Sequence, residues 1–230
     1  MPFVTSLGLQ KEDDFFPPQT PFHAFRGQHH DCQVTVVTSG KDQIYETGVD
    51  NCGTVPAAMV TFLALQKLPH ASLIINAGTC GGFQRKGAAI GDVFLTTAVA
   101  HHDRRIPIPN FESYGIGRLE TTMAHKLAEA HNFKQGVCTT GNSLDKTDVD
   151  DVHMEANDAS VKDMEAAAVA WSTHMFKKPY LGVKVVTDIV DGDRPTQDEF
   201  LENLHKAAES LQHALPKVIE HVCGRKHDEL

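Results

Sequence analysis

The sequence predicts an α/β fold in which helices cover both faces of a sheet. Short apolar runs rich in Val, Ile and Leu recur along the 230 residues, and several lack the polar alternation of half-exposed strands. Helical patterns lie between these runs, and strands that alternate with helices are typical of this fold class. The composition does not shift along the chain, so we expect one domain over residues 1–230.

The elements follow one another in a regular order. The apolar runs predict five strands, at residues 33–38, 72–77, 91–99, 136–140 and 181–187. The helical patterns predict four helices, at residues 54–67, 119–131, 161–176 and 196–222, the last of which begins after a proline, as helices often do. The stretch 101–117 contains Pro107 and Pro109 and predicts a long loop; loops of this length are often functional.

Charge and composition exclude several classes of protein. The formal net charge is −9 and the only compact basic spot is Arg104-Arg105, which argues against a nucleic-acid partner. No apolar run reaches the roughly 18 to 20 residues of a membrane span, and the first residues lack the pattern of a secretory signal. We therefore expect a cytoplasmic protein without membrane contact. The last four residues, HDEL, spell an endoplasmic-reticulum retention signal, which we interpret as coincidental.

Cysteines and histidines predict neither a disulfide framework nor a metal site. The five cysteines are odd in number and lack C-x-x-C spacing, which favours reduced thiols. His29-His30 and His101-His102 are adjacent pairs, and neighbouring side chains on a strand point to opposite faces, so they rarely bind one ion. We interpret both pairs as surface or loop residues and expect no metal and no cofactor.

A glycine-rich segment follows the predicted strand 72–77. Residues 77–83 read AGTCGGF, and glycines permit close approach of a ligand to the backbone. Their spacing matches neither the dinucleotide-binding motif nor the P-loop. A tight strand-to-helix turn explains the glycines equally well. Cys80 within this segment is either a nucleophile or, more commonly, a small buried thiol.

Glu165 stands at the entrance of a run of small apolar residues, 166–170, with the sequence AAAVA. Alanine is the best helix former, so the run predicts a helix packed tightly against a core. A buried carboxylate needs a partner, and an ionised carboxylate accepts hydrogen bonds from two adjacent hydroxyls of a ligand. The alternative is a solvated acid favoured by the positive end of the helix dipole.

Two strand ends carry further polar residues. Asp188 directly follows the predicted strand 181–187, and the carboxyl ends of strands are where open α/β sheets hold their ligands. Burial there raises the pKa of a carboxyl group and enables it to donate a proton near neutral pH. The alternative is a cap of the turn at residues 191–193. Residues 139–145, TTGNSLD, form a second strand end of this kind.

Taken together and in this order, the segments resemble the nucleoside phosphorylase superfamily. The resemblance rests on the motifs N-A-G-T-C-G-G-F, G-D-V-F-L, H-D-R-R-I-P-I-P, T-G-N-S-L-D, K-D-M-E-A-A-A-V-A and K-V-V-T-D-I-V-D-G-D, followed by a helix with D-E-F-L. It runs from about residue 2 to the C-terminus, and it is closest to the plant-type branch of the 5′-methylthioadenosine/S-adenosylhomocysteine nucleosidases. It implies a three-layer αβα sandwich with a central mixed sheet, and a homodimer.

The resemblance also implies hydrolysis of the bond between adenine and ribose in a small-molecule nucleoside, 5′-methylthioadenosine or S-adenosylhomocysteine. Such a reaction has an oxocarbenium-like transition state. Asp188 matches the general acid that protonates the leaving adenine, and Glu165 matches the residue that binds the ribose hydroxyls, with Met164 beside it. The other matching positions are Thr79, Cys80 and Gly81 on the sugar and water side, Leu144 and Asp145 beside adenine, and Lys184, where other branches carry arginine.

The chain departs from the family pattern at its start. The resemblance begins just after the first strand of the family and the glutamate that activates the attacking water, so we expect both to lack a counterpart, and Glu12 comes too late to replace that glutamate. Loss of a general base lowers a rate on the order of a hundred- to ten-thousandfold. Asn142 stands where the family usually has Asp. Two alternatives stay open: a non-catalytic nucleoside-binding relative, and a phosphorylase in which Arg104 or Arg105 binds phosphate.

Overall fold

A computed structural model describes residues 2–226 and 229–230 and contains two sheets, a three-stranded one and a six-stranded mixed one. The strands are β1 Gln10–Lys11, β2 His23–His29, β3 Cys32–Thr38, β4 Ile74–Gly82, β5 Val93–His101, β6 Leu119–Glu120, β7 Lys134–Thr140, β8 Ala159–Asp163 and β9 Tyr180–Ile189. The helices are α1 Pro2–Ser6, α2 Thr54–Lys67, α3 Glu112–Ile116, α4 His125–His131, α5 Asp148–Ala156, α6 Ala166–Met175 and α7 Thr196–Val222.

The larger sheet has the strand order β6-β5-β7-β8-β4-β9. Strand β4 is parallel to β9, and β7 is parallel to both β5 and β8. In contrast, β4 and β8 are antiparallel, and β5 also pairs antiparallel with β9, so the sheet closes on itself. The two strand orientations confirm the predicted α/β fold with a central mixed sheet.

Strand β9 shows how helices cover both faces of this sheet. Tyr180 and Val186 belong to a core cluster that includes the alanines of α6, whereas Leu181 and Val183 belong to a second cluster that includes residues of α4 and α7. Alternate side chains of a strand point to opposite faces, so the two clusters lie on opposite sides of the sheet. Burial on both sides explains why this apolar run lacks polar alternation.

Helix α2 connects the two sheets. Its Val60 and Ala64 pack in an aromatic cluster with Phe15, Phe16 and Phe22 beside the three-stranded sheet. Further residues of the same helix, including Ala57, pack against α6 and the larger sheet. The structure thus anchors the small sheet through a helix that also reaches the centre of the molecule.

The predicted helices 54–67 and 196–222 are confirmed at both ends. The predicted helix 161–176 is wrong at its start, because residues 159–163 form β8 and α6 begins only at Ala166. Residues 159–163 form ladder pairs with β4 and β7, and these pairs keep them extended although helix-forming alanines follow directly.

The predicted helix 119–131 is likewise too long at its start. Leu119–Glu120 pairs with β5, and α4 begins at His125. The predicted loop 101–117 contains α3, and the five predicted strands are present with shifted ends. The short strands β1, β6 and β8 and the helices α1, α3 and α5 are not indicated by the sequence pattern, because short elements give too few periods to recognise. Strand β2 is as long as β3, but its residues HAFRGQH form no apolar run.

Cys32 and Cys223 form a disulfide, so the expectation of five reduced thiols is wrong for these two residues. Cys32 begins β3 and Cys223 follows α7, and their Cα atoms lie 5.6 Å apart although 191 residues separate them in sequence. The three other cysteines are free, and Cys80 and Cys138 among them are buried. Cysteine usage therefore gives no support to a reducing compartment.

Among the described residues, no helix has both the length and the apolar composition needed to cross a membrane. His227 and Asp228 of the terminal HDEL lie outside the described residues. Leu230 is buried in the core cluster beside α4 and α7, and its carbonyl oxygen accepts a hydrogen bond from the Leu127 N–H at 3.1 Å.

Candidate active site

The carboxyl ends of β4 and β9 bring the glycine-rich segment next to Asp188. The two strands are parallel, and a bulge after Cys80 sets Gly81 opposite Asp188. A Cβ atom on Gly81 would lie 2.6 Å from Val190 Cγ2 and 2.7 Å from Asp188 Oδ2, so these side chains would have to shift to admit a larger residue. Glycine at position 81 therefore leaves room for the side chains of Val190 and Asp188, which is a reason for this glycine besides a tight turn.

Asp188 has the properties of a proton donor. Its residue surface is only 2 % exposed, and burial raises the pKa of its carboxyl group above the ordinary value. The Thr187 hydroxyl lies 2.7 Å from Asp188 Oδ1, and this contact and the charge of Lys162 oppose the rise, whereas Glu199 adds to it. The net direction is upward, so Asp188 retains its proton to higher pH than an exposed aspartate.

Glu165 is the N-cap residue of α6, but its side chain does not cap that helix. Instead, its Oε1 accepts a hydrogen bond from the Gly53 N–H at 2.8 Å, across 112 residues of sequence and at the start of α2. The residue is half-buried, and burial followed by the charge of Asp163 raises the pKa of the carboxyl group. The interpretation of Glu165 as a solvated helix-dipole acid is therefore wrong.

Beneath Glu165 lies a buried ion pair between Lys184 and Asp163, with 2.8 Å between Nζ and Oδ2. Burial opposes charge on both groups, but their mutual attraction prevails: it raises the pKa of Lys184 and lowers the pKa of Asp163. Asp163 also accepts hydrogen bonds from the Thr140 hydroxyl at 2.7 Å and from the Ala166 N–H at 2.8 Å. The charge of Lys184 in turn opposes the upward pKa shift of Glu165.

The positions predicted beside the sugar lie at the end of β4. Thr79 is half-buried and Cys80 is buried, and burial raises the pKa of the Cys80 thiol far above its ordinary range. A thiol that stays protonated is a poor nucleophile. The structure thus favours the interpretation of Cys80 as a buried thiol. Met164, half-buried, lies between Asp163 and Glu165 in sequence.

The positions predicted beside adenine lie on the exposed loop after β7. Leu144 is 40 % exposed and Asp145 is also exposed. At the start of this loop, Asn142 Oδ1 accepts hydrogen bonds from the Thr54 N–H at 3.0 Å and the Thr54 hydroxyl at 2.9 Å. The side-chain oxygen of Asn142 therefore accepts both hydrogen bonds from Thr54, the first residue of α2.

Two residues of the site are not indicated by the sequence. Gly53 contributes only its backbone N–H to Glu165, and no side chain signals such a role. Lys162 lies within β8, is 6 % exposed, and donates hydrogen bonds to backbone carbonyls of the loop at residues 143–145. The sequence pattern of this segment predicts a helix, and only the burial of Lys162 in β8 reveals its role.

The histidines at the end of β5 are buried, so their interpretation as surface or loop residues is wrong. His101 and His102 are 6 % and 3 % exposed. Burial, followed by the charge of Arg104, lowers the pKa of His101 to about 4, and the imidazole is therefore neutral near pH 7. Among the residues that the structure describes, no group of three or more metal-binding side chains is suited to hold an ion.

Comparison with known proteins gives consistent matches. Residues 4–220 match the model of the Phosphorylase superfamily. The chain is 44 % identical over 231 residues to 5′-methylthioadenosine nucleosidase of Arabidopsis thaliana, covering 100 % of this chain and 85 % of the relative. It is 44 % identical over 225 residues to 5′-methylthioadenosine/S-adenosylhomocysteine nucleosidase of the same plant, covering 97 % and 87 %. The solved apo structure of 5′-methylthioadenosine nucleosidase from Arabidopsis thaliana superposes with a TM-score of 0.95 at 44 % identity, covering 100 % of this chain and 93 % of that one.

Proposed function

The chain belongs to the Phosphorylase superfamily, and from its similarity to two nucleosidases of that kind we infer that it cleaves the bond between adenine and ribose of 5′-methylthioadenosine with water. The observation that carries the proposal is the pair of carboxyl groups at one end of the sheet. Asp188 is buried with a raised pKa, and Glu165 is half-buried at the start of α6. Two relatives that are 44 % identical to the chain bear a nucleosidase activity of this kind in their names.

In this proposal Asp188 donates its proton to the departing adenine. Cleavage leaves the base with negative charge and the sugar with positive charge, so a protonated carboxyl group beside the base lowers the barrier. The carboxylate of Glu165 accepts hydrogen bonds from the two ribose hydroxyls while Gly53 holds one of its oxygens. Thr79, Cys80 and Gly81 face the sugar, and Leu144 and Asp145 flank the base. We assign the activation of water to no residue of this chain.

Incubation of the purified chain with 5′-methylthioadenosine tests this function. We expect release of adenine and methylthioribose in phosphate-free buffer, at a rate that added phosphate does not raise. Binding of the nucleoside without release of adenine would contradict the proposal and identify a nucleoside-binding relative. A sugar phosphate formed only in the presence of phosphate would identify a phosphorylase. The same assay with S-adenosylhomocysteine measures the preference between the two substrates.

We further propose that the protein is a homodimer that associates through an apolar face of α2 and α6. The two helices pack against each other, and their outer sides present large exposed side chains. On α2 these recur at the helical spacing of four and three residues. The face consists of Val55, Met59 and Phe62 on α2 and Trp171 and Met175 on α6, which are 68 %, 51 %, 39 %, 51 % and 46 % exposed. Contiguous apolar surface of this kind marks a protein interface, and a second copy offers a matching one.

Light scattering, measured on the protein as it elutes from a size-exclusion column, tests whether it is a dimer. We expect twice the chain mass of 25.2 kDa for the natural sequence, and the monomer mass for the double substitution Met59→Glu and Trp171→Glu, because association would bury two unpaired carboxylates. The control is Leu201→Glu, which changes an apolar residue on α7 that is 71 % exposed and lies outside the face. A dimer that survives the double substitution would disprove this interface.

A further inference from the structure

Lys162 is buried without a carboxylate partner. No ion pair links its ammonium group to any residue in the described part of the chain, although the residue is only 6 % exposed. Its three protons are used in another way: Nζ donates to the backbone carbonyls of Ser143 at 2.9 Å, Leu144 at 2.7 Å and Asp145 at 2.7 Å. An ammonium group has three donors and no acceptor, so these bonds use its full capacity.

The three carbonyls converge on one point because a cation lies there. Residues 143–145 belong to no helix or strand and are exposed, so the rest of the fold does little to fix them. Three carbonyl oxygens directed at one another without a cation would repel. The backbone N–H groups of residues 143–145 donate to no acceptor within residues 2–226 and 229–230, and these groups are therefore free to bond a ligand. Lys162 thus determines where these donors point.

Lys162 also lies beside the proposed proton donor. On β8 it is paired with Gly81 of β4, and Gly81 is in turn paired with Asp188 of β9. Lys162 and Asp188 are close enough for each charge to shift the pKa of the other. A single side chain therefore contacts the loop on one side of the site and acts electrostatically on the carboxyl group on the other.

We propose that Lys162 is a positioning residue for the leaving base, which holds the loop at residues 143–145 in one conformation next to Asp188. The inference rests on the proposed function, because it takes the loop as the base-binding side of the site. Lys162 does not touch the reacting atoms. Its role is to fix the backbone groups that hold adenine while Asp188 protonates it.

The charge of Lys162 gives the proposal a second consequence, in the pH dependence. The groups that act on Asp188 are Lys162 from β8, the Thr187 hydroxyl from β9 itself and Glu199 from α7, and the Cys80 thiol of β4 lies close by. Burial and Glu199 raise the pKa of Asp188, and Lys162 lowers it. Removal of the ammonium group therefore raises the pKa of Asp188 further. Protonation of the leaving adenine by Asp188 then continues to higher pH.

The test compares Lys162→Met and Lys162→Arg with Lys146→Met as the matched control. Lys146 lies next to the same loop, but its Nζ binds the Asp151 carboxylate instead of backbone carbonyls. Calorimetry gives the affinities for adenine and for methylthioribose. The pH profile of kcat/KM for 5′-methylthioadenosine gives the alkaline limit, which is the pH above which kcat/KM falls. We expect Lys162→Met to weaken adenine binding about tenfold or more, as loss of charge-assisted hydrogen bonds does, to leave methylthioribose binding within about twofold, and to move the alkaline limit to higher pH.

Lys162→Arg retains the charge and is expected to keep the alkaline limit of the natural protein. Its affinity for adenine should lie between that of the natural protein and that of Lys162→Met. Equal weakening of both ligands, or an unchanged alkaline limit in a folded Lys162→Met protein, would overturn the inference. If Lys162→Met does not fold, the same comparison made with Lys162→Arg tests the inference. An unchanged adenine affinity of Lys162→Arg would then contradict the positioning role of Lys162. If the natural chain releases no adenine, the proposed function fails, and the two affinities still decide the role of Lys162.

Discussion

Replacement of Asp188 by asparagine is expected to lower kcat/KM for adenine release by about a thousandfold, within the range for a general acid, which corresponds to about 4 kcal/mol of transition-state stabilisation. Asparagine fits the same space beside Gly81, so the site keeps its shape. It has no acidic proton, however, and adenine must then leave as an anion. Initial rates of adenine release at several substrate concentrations give kcat and KM separately, and we expect the loss to be in kcat.

The pH profile distinguishes loss of the acid from general damage. In the proposed mechanism Asp188 acts in its protonated form, and its raised pKa means that this form persists above the usual range of aspartate. Activity of the natural protein therefore falls as the pH rises through that pKa, whereas the residual activity of the asparagine variant does not follow it. Asp193→Asn is the control: it makes the same chemical change five residues later, at an exposed position of a turn. An Asp188→Asn protein with more than about a tenth of the natural activity would contradict the assignment.

Replacement of Lys184 by methionine is expected to lower the free energy of unfolding by about 3–5 kcal/mol, as breaking a buried ion pair does. Lys184 and Asp163 have side chains that are 1 % and 0 % exposed, so the substitution leaves a carboxylate buried without its cation. For a chain of this length, such a loss lowers the melting temperature by roughly 10 °C. Denaturant titration of both proteins measures the difference.

The dependence on pH follows from the pKa shifts of the pair. The folded-state pKa of Asp163 is lowered, so its contribution to stability is present above the unfolded value of about 3.9 and is lost as the pH falls through the folded value. In the Lys184→Met protein the carboxyl group is buried without the ammonium group and becomes neutral more readily. The difference in the free energy of unfolding between the natural protein and Lys184→Met therefore becomes smaller at acidic pH.

The control for this prediction is Lys41→Met, which breaks an ion pair to Asp50 whose side chains are 64 % and 60 % exposed. Exposed pairs contribute less than about 1 kcal/mol, so this variant should unfold close to the natural protein. A Lys184→Met protein as stable as the Lys41→Met protein would show that the buried pair does not hold this region together.

The sequence predicted the fold class, and it singled out the two carboxyl residues of the proposed site, for physical reasons that the structure makes clear. Buried strands produce long apolar runs, and Asp188 follows one of them. Glu165 was recognisable because this acid stands directly before a run of small apolar residues that is buried throughout in α6. The glycine-rich segment stood out because it contains three glycines, of which Gly81 leaves room for the side chains of Val190 and Asp188.

The contacts that complete the site were not predictable in the same way. The bond between Gly53 and Glu165 joins residues 112 positions apart, and the Lys162 ammonium group binds backbone carbonyls that carry no sequence signal. The disulfide between Cys32 and Cys223 spans 191 positions. Such contacts arise only when the topology brings distant segments together. The short strand β8, whose polar residues are buried, gave no periodic pattern to recognise.

The buried pair of Lys184 and Asp163 also restricts how this sequence is able to change over time. Either residue alone cannot be exchanged for a neutral one without leaving a charge stranded in the core. Viable lineages are therefore those that keep a cation at position 184 opposite an acid at position 163, or that lose both charges within a short interval. Among related sequences the two positions should consequently vary as a unit, with arginine accepted in place of Lys184 only where the acid is retained.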